Sequence, residues 1–170
     1  LKIDTGRRTL HLPAPGLTGA HQVANAAQAV TIMDQLEAPL IREEVLAEGL
    51  IAVDWPARLQ KLDDGNLAAL LPGGWELWLD GGHNAAAGSV LANQAAAWND
   101  QPLYLIAGIL NSKDPTEFLA PLAAQVAGLA TVPIPGEPAS LEPAALAKLA
   151  SDLGFTVTAK PSVAAAIGAL

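Results

Sequence analysis

The sequence predicts an α/β fold, a Rossmann-like and mostly parallel sheet flanked by helices, and three observations lead there. Apolar residues make up 51% of the chain and charged residues 15%, the balance of a compact globular protein. The apolar content is mostly Ala, Leu and Val, with 4% aromatics, which suits helices packed on strands better than a β-sandwich. Beyond residue 55, short apolar runs alternate with stretches of helical periodicity. That alternation is the pattern of parallel strands joined by crossovers.

Taken in order, Thr9-Leu10-His11-Leu12 alternates and then meets Pro13, Pro15 and Gly16, a strand end running into a turn. From His21 to Leu36, Val23, Ala26, Ala27, Val30, Met33 and Leu36 recur at three- and four-residue steps. This spacing predicts one apolar helical face, ended by Pro39. Arg42–Val53 is a second, short helix, broken by Asp54-Trp55-Pro56 because the residue before a proline is pushed towards extended backbone. A boundary is therefore expected between residues 54 and 55. Strands are expected at Ala57–Leu62, Glu76–Asp80, Leu103–Ala107, Leu129–Pro133 and Phe155–Ala159. Helices follow at Ala85–Trp98, Pro115–Val126 and Pro143–Leu153, the last with Ser140 or Glu142 near its start, and another begins over Ser162–Leu170. Gly65 and Pro72-Gly73-Gly74 read as turns around a hairpin.

Composition excludes several functions. With no cysteine there is no disulfide or thiolate metal site, and His11, His21 and His83 lack ligand spacing, so no metal site is expected. A net charge of −8, with nine Lys and Arg residues forming no run, argues against nucleic acid as a partner. No apolar run reaches the roughly 18 residues of a membrane span and no basic-then-apolar leader is seen, so a soluble, cytoplasmic protein is expected. There is no G-x-x-x-x-G-K-[ST] loop, no G-x-G-x-x-G after a strand and no G-x-S-x-G elbow. No catalytic residue is assigned.

Four clusters could carry chemistry. Leu77-Trp78-Leu79-Asp80-Gly81-Gly82-His83-Asn84 is an apolar strand ending in a carboxylate, two glycines and two polar side chains. In open parallel sheets ligands sit outside the carboxyl ends of strands, and a carboxylate there suits a ribose diol. Asn84 can cap the next helix, whose free amides favour anions, and simple capping explains the turn equally well. Gln22 and Asn25, three apart, share a helical face whose amides could meet a purine edge or serve as caps. Trp55-Pro56-Ala57-Arg58 is a rigid turn delivering one guanidinium, a phosphate clamp or a solvated surface residue. Asn111-Ser112-Lys113-Asp114 opens from a strand, with Lys113 an anion contact or a solvated lysine beside an Asp114 cap.

In this order, H-Q-x-x-N-A at 21–26, W-P-x-R at 55–58, D-G-x-H-N at 80–84 and K-D at 113–114 resemble the folylpolyglutamate synthase/dihydrofolate synthase family of the Mur-ligase superfamily. The resemblance covers nearly the whole chain. Two positions depart, Ala57 and Gly82, where the family usually has Gly and Ala. The resemblance implies that Asn25 contacts adenine, Arg58 the phosphates and Asp80 the ribose of ATP, with His83 and Asn84 supporting the nucleotide and Lys113 touching an anion or substrate. It implies that residues 1–54 are the tail of an ATPase domain plus linker, and 55–170 a C-terminal domain whose final strand is missing. The parent would use ATP and Mg²⁺ to join L-glutamate to a pteroate or folate through an acyl phosphate, the metal ligands lying outside this chain. That parent is expected to be a monomer, and this chain alone to be inactive and to self-associate through an exposed apolar helix. The rivals are a stand-alone nucleotide-binding module and another Mur-type ligase. A stand-alone module would cover Val23, Val30 and Met33 within the chain.

Overall fold

The computed structural model describes residues 1–36, 41–98 and 100–170. They form two compact units, Leu1–Lys61 with Trp78–Asp80, and Leu62–Leu77 with Gly81–Leu170.

In the first unit β1 (Lys2–Asp4) pairs antiparallel with β2 (Thr9–His11), Ile3 opposite Leu10. Each strand buries only its middle residue, so the pair turns one apolar face inward. β2 falls in the stretch read as a strand end, whereas β1, which alternates in the same way over Leu1-Lys2-Ile3-Asp4, was not foreseen. Ile3, Leu10 and Leu12 meet Val30 of α1 (Ala20–Gln35), and Leu46, Ala47 and Leu50 of α2 (Glu43–Ala52) pack around them.

Both helices lie where periodicity predicts, but the buried face of α1 does not. Its buried residues are Gln22, Ala26, Val30 and Asp34, while Val23 (38%), Met33 (40%) and Leu36 (65%) are exposed. Of the three residues a stand-alone module would cover, only Val30 is covered. The reason for the rotated face is polar anchoring. Asp34 accepts a hydrogen bond from the Thr5 hydroxyl at 2.6 Å and pairs with the Arg8 guanidinium at 2.7 Å. Arg7 donates to the Asp34 carbonyl at 3.2 Å, and the Gln35 amide to the Thr5 carbonyl at 2.9 Å. The Thr5 bond and then Arg8 hold the Asp34 carboxyl below its ordinary 3.8, against the opposing pull of burial. The expected stop at Pro39 lies outside the described residues.

β3 (Gln60–Lys61) and β4 (Trp78–Leu79) form an antiparallel pair separate from the parallel sheet, to which Glu76–Asp80 was expected to contribute a strand. The turns foreseen at Gly65 and Pro72-Gly73-Gly74 explain why. Gly65 opens a four-residue helix, α3 (Gly65–Ala68), too short for a crossover, and Trp75 N–H closes a turn on the Pro72 carbonyl at 3.2 Å. The chain doubles back, and Leu62 N–H donates to the Leu77 carbonyl at 2.8 Å.

The second unit contains the parallel sheet, β5 (Tyr104–Ala107), β6 (Gly128–Thr131) and β7 (Val157–Ala159), in that order. Helices α4 (Ala85–Ala97), α5 (Pro115–Leu119), α6 (Pro143–Asp152) and α7 (Val163–Ile167) complete it. The strands' period of two divides the core. Ala107 and Leu129 join Phe118, Leu119, Leu146 and Ala150 in one cluster, while Ala130 and Val132 join Ala166 in another. The sheet is therefore an α/β sheet with helical residues against both faces. α5 is shorter than the expected Pro115–Val126 because Pro121 lacks the N–H that an α-helix needs, and Ala120–Leu122 tighten into a 3₁₀ turn. Among the described residues no helix is long and apolar enough to cross a membrane.

Candidate functional site

The first unit carries Asn25, Arg58 and Asp80. Asn25 is exposed one turn into α1, and its Nδ2 donates to Oε1 of the buried Gln22 at 3.1 Å. The partner fixes which way the Asn25 amide faces, leaving its carbonyl oxygen and second N–H to face outward. α1 starts at Gly19, whose φ of +109° favours glycine. A Cβ there would come within 2.7 Å of the His21 ring and 3.2 Å of the Leu59 side chain. The same small residue thus lets the helix start and the Trp55–Leu59 turn approach each other.

That turn is unusual. Ala57 and Leu59 flank Arg58 with φ of +56° and +46°, left-handed backbone that β-carbons disfavour. Ala57 N–H donates to the Gln60 side chain at 3.0 Å, and Leu59 N–H to Oδ2 of Asp80 at 2.9 Å. Ala57 is one of the two positions where this sequence departs from the family pattern, and its positive φ explains why glycine suits the place. Arg58 itself is exposed and makes no hydrogen bond or ion pair among the described residues.

Asp80 corrects an expectation. It directly follows β4, which pairs antiparallel with β3, so it does not stand at the carboxyl end of a parallel strand. One of its oxygens is committed to backbone. Gln60 and the Leu59 amide are the residues that sequence reasoning missed, and no motif marks them because a left-handed non-glycine residue leaves no sequence signal.

The second unit carries His83, Asn84 and Lys113. His83 is exposed, its Nδ1 3.0 Å from the Gly81 carbonyl. When Nδ1 holds the proton it donates to that carbonyl and Nε2 faces outward as an acceptor. Asn84 caps α4, its side-chain oxygen accepting from Ala87 N–H at 2.9 Å, so the capping role is realised. Lys113 is exposed in the β5–α5 loop, beside Asp114, which caps α5 by accepting from Thr116 N–H at 2.8 Å. Among the described residues no group of three His, Asp or Glu could hold a metal ion.

No protein-family model matches the chain. A folylpolyglutamate synthase of Lacticaseibacillus casei is 33% identical over 142 residues, which are 81% of this chain and 31% of that protein. Solved structures share the fold. Escherichia coli FolC in complex with DHPP and ADP superposes with a TM-score of 0.75 at 24% identity, over 96% of this chain and 35% of that one. The bifunctional folylpolyglutamate synthase/dihydrofolate synthase of Yersinia pestis, complexed with AMPPNP and a Mn ion, gives 0.70 at 24% identity, over 92% and 34%. The chain thus spans about a third of the length of the proteins it matches. In sequence and in fold it is a relative of the folylpolyglutamate synthases, as its four motifs imply.

Proposed function

We propose that this chain supplies nucleotide contacts to an ATP-dependent, ADP-forming ligase that joins L-glutamate to dihydropteroate or a folate. The observation that carries the reading is Arg58, an exposed guanidinium without a partner among the described residues, held up by a turn whose two left-handed residues are tied down on either side. An unpaired guanidinium on an ordered turn is suited to a polyphosphate. On the same reading Asn25, with its amide set by Gln22, meets the adenine edge. Asp80 receives ribose hydroxyls, a carboxylate being an acceptor with about four lone-pair sites. His83 and Asn84 support the nucleotide, and Lys113 touches an anion.

The chemistry follows from those roles. A substrate carboxylate oxygen attacks the γ-phosphorus, the bond to the β-phosphate oxygen breaks, and ADP leaves. The glutamate amine then attacks the acyl carbon, expelling phosphate and losing a proton, to give the amide. Such transfer rests on positioning and charge neutralisation, which is the part Arg58 plays. On this reading the ligands for Mg²⁺ belong to the part of the ligase outside this chain. The chain holds no phosphate loop in its sequence and on this reading is inactive by itself. We propose likewise that residues 1–54 correspond to the tail of an ATPase domain and 55–170 to a C-terminal domain.

A chimera in which this chain replaces the matched part of the Lacticaseibacillus casei protein tests the reading. ATP-dependent incorporation of labelled glutamate into a folate, lost on Arg58→Ala, is the expected outcome. Incorporation unaffected by Arg58→Ala would remove Arg58 from the reaction.

A further inference from the structure

We infer that Asp80 is the positioning residue for Arg58, its carboxylate acting as a backbone clamp on the turn that presents the guanidinium. The β3–β4 register delivers it there. Gln60 faces Leu79 and Lys61 faces Trp78, so the next pair along is Leu59 with Asp80. That pair is a non-hydrogen-bonded position of the ladder, because bonded pairs alternate from Leu62 and Leu77, and the Asp80 side chain takes the Leu59 N–H at 2.9 Å. A carboxylate acceptor makes a stronger bond than a neutral one, and the turn needs it. Ala57 and Leu59 both sit in left-handed backbone that their side chains oppose, and such conformations persist only where surrounding contacts over-determine them.

Three contacts do so here. Gln60 Oε1 takes the Ala57 N–H, Asp80 takes the Leu59 N–H, and the Leu59 side chain is buried. Arg58, between them, has no bond of its own among the described residues. The direction in which it leaves the chain is therefore set by the backbone on either side. Removing the Asp80 carboxylate frees the C-terminal side of the turn, and Arg58 loses its preset direction. Asp80 then acts on phosphate through Arg58, in addition to any contact with ribose. This consequence rests on the proposed nucleotide reading, whereas the clamp itself does not.

Amide hydrogen exchange of the whole chain, followed by NMR, tests the clamp without ligand. In the unaltered chain Leu59 N–H should exchange at least about tenfold more slowly than an unstructured amide of the same sequence, given the strength of a bond to a charged group. Asp80→Ala should remove that protection. Asp80→Asn, which keeps a neutral side-chain oxygen, should retain most of it. Exchange of Leu59 N–H at the unstructured rate in the unaltered chain overturns the clamp even if Asp80→Ala fails to fold. The link to Arg58 is read from ATP binding in the chimera. Asp80→Ala should bind ATP at least about tenfold more weakly than Asp80→Asn, and Arg58→Ala should shrink that difference to what the ribose contact contributes. A difference undiminished by Arg58→Ala shows that Asp80 acts independently of Arg58 and overturns the positioning role. Leu59 protection with no ATP binding by the unaltered chimera would keep the clamp, overturn the positioning role and sink the nucleotide reading.

Discussion

Gly88→Ala should destabilise the protein even though it replaces glycine by the best helix former inside a helix. In an open helix that change stabilises by about 1 kcal/mol. Gly88 is buried in α4, and a Cβ built there would lie 2.3 Å from the Phe118 carbonyl oxygen and 3.0 Å from its carbon. Both are backbone atoms and cannot rotate aside. Overpacking of this kind costs about 1–3 kcal/mol, and a rigid neighbour calls for the upper end. The difference is a net loss of about 1–2 kcal/mol, or roughly 2–8 °C in the melting temperature of a chain of 170 residues. Gly49 in α2 is the control, with nothing within 4 Å of its Cβ position, so Gly49→Ala should gain up to about 1 kcal/mol. Urea unfolding followed by circular dichroism measures both. Two shifts of the same sign and size would refute the claim that α4 and α5 meet through the missing side chain of Gly88.

Three further expectations come from the first unit. Ala57→Gly should stabilise modestly, by up to about 1 kcal/mol, since relief of left-handed strain of about 1–2 kcal/mol exceeds the entropy that glycine adds to the unfolded chain; a loss in urea unfolding would contradict the strain. Asp34 titrates below 3.8 in the folded chain, so its contribution is present above that value and lost as pH falls through the lowered one. Thermal melts of wild type and Asp34→Asn should therefore differ at neutral pH, with the gap narrowing as pH falls below about 4, and a gap constant down to pH 2.5 would contradict the pairing with Thr5 and Arg8. Gln22→Leu removes the acceptor that orients the Asn25 amide; the chimera should then discriminate ATP from GTP less sharply, and an unchanged ratio of affinities would show that Gln22 does not set the reading of the purine.

Much of the fold was legible because local signals agreed with tertiary ones. α4 has an Asn84 cap and alanine-rich periodicity, and it begins at the residue those signals indicate. The three parallel strands are short apolar runs between helices, and they pair as such runs should. Elsewhere long-range partners decided. The stripe Gln22, Ala26, Val30, Asp34 is buried because Thr5 and Arg8 receive the carboxylate at its end, and apolar spacing along α1 cannot foresee partners on a β-hairpin. The turns between β3 and β4 marked a hairpin, but two residues in each strand carry no sign of which sheet they join, so its separation from the parallel sheet was not legible. For the candidate residues, sequence identified the side chains but not what already holds them. Asn84 is a helix cap, Asp80 is bonded to the Leu59 amide, and Asn25 is bonded to Gln22.

The central claim is that this chain contributes Arg58 to the phosphates of ATP. Titration calorimetry with ATP tests it most directly, using the chain alone and the chain mixed with the unmatched part of a folylpolyglutamate synthase relative. Binding that requires the mixture and is lost with Arg58→Ala is the predicted result. Tight binding by the chain alone, unaltered by Arg58→Ala, would contradict it and point to a self-sufficient binding module.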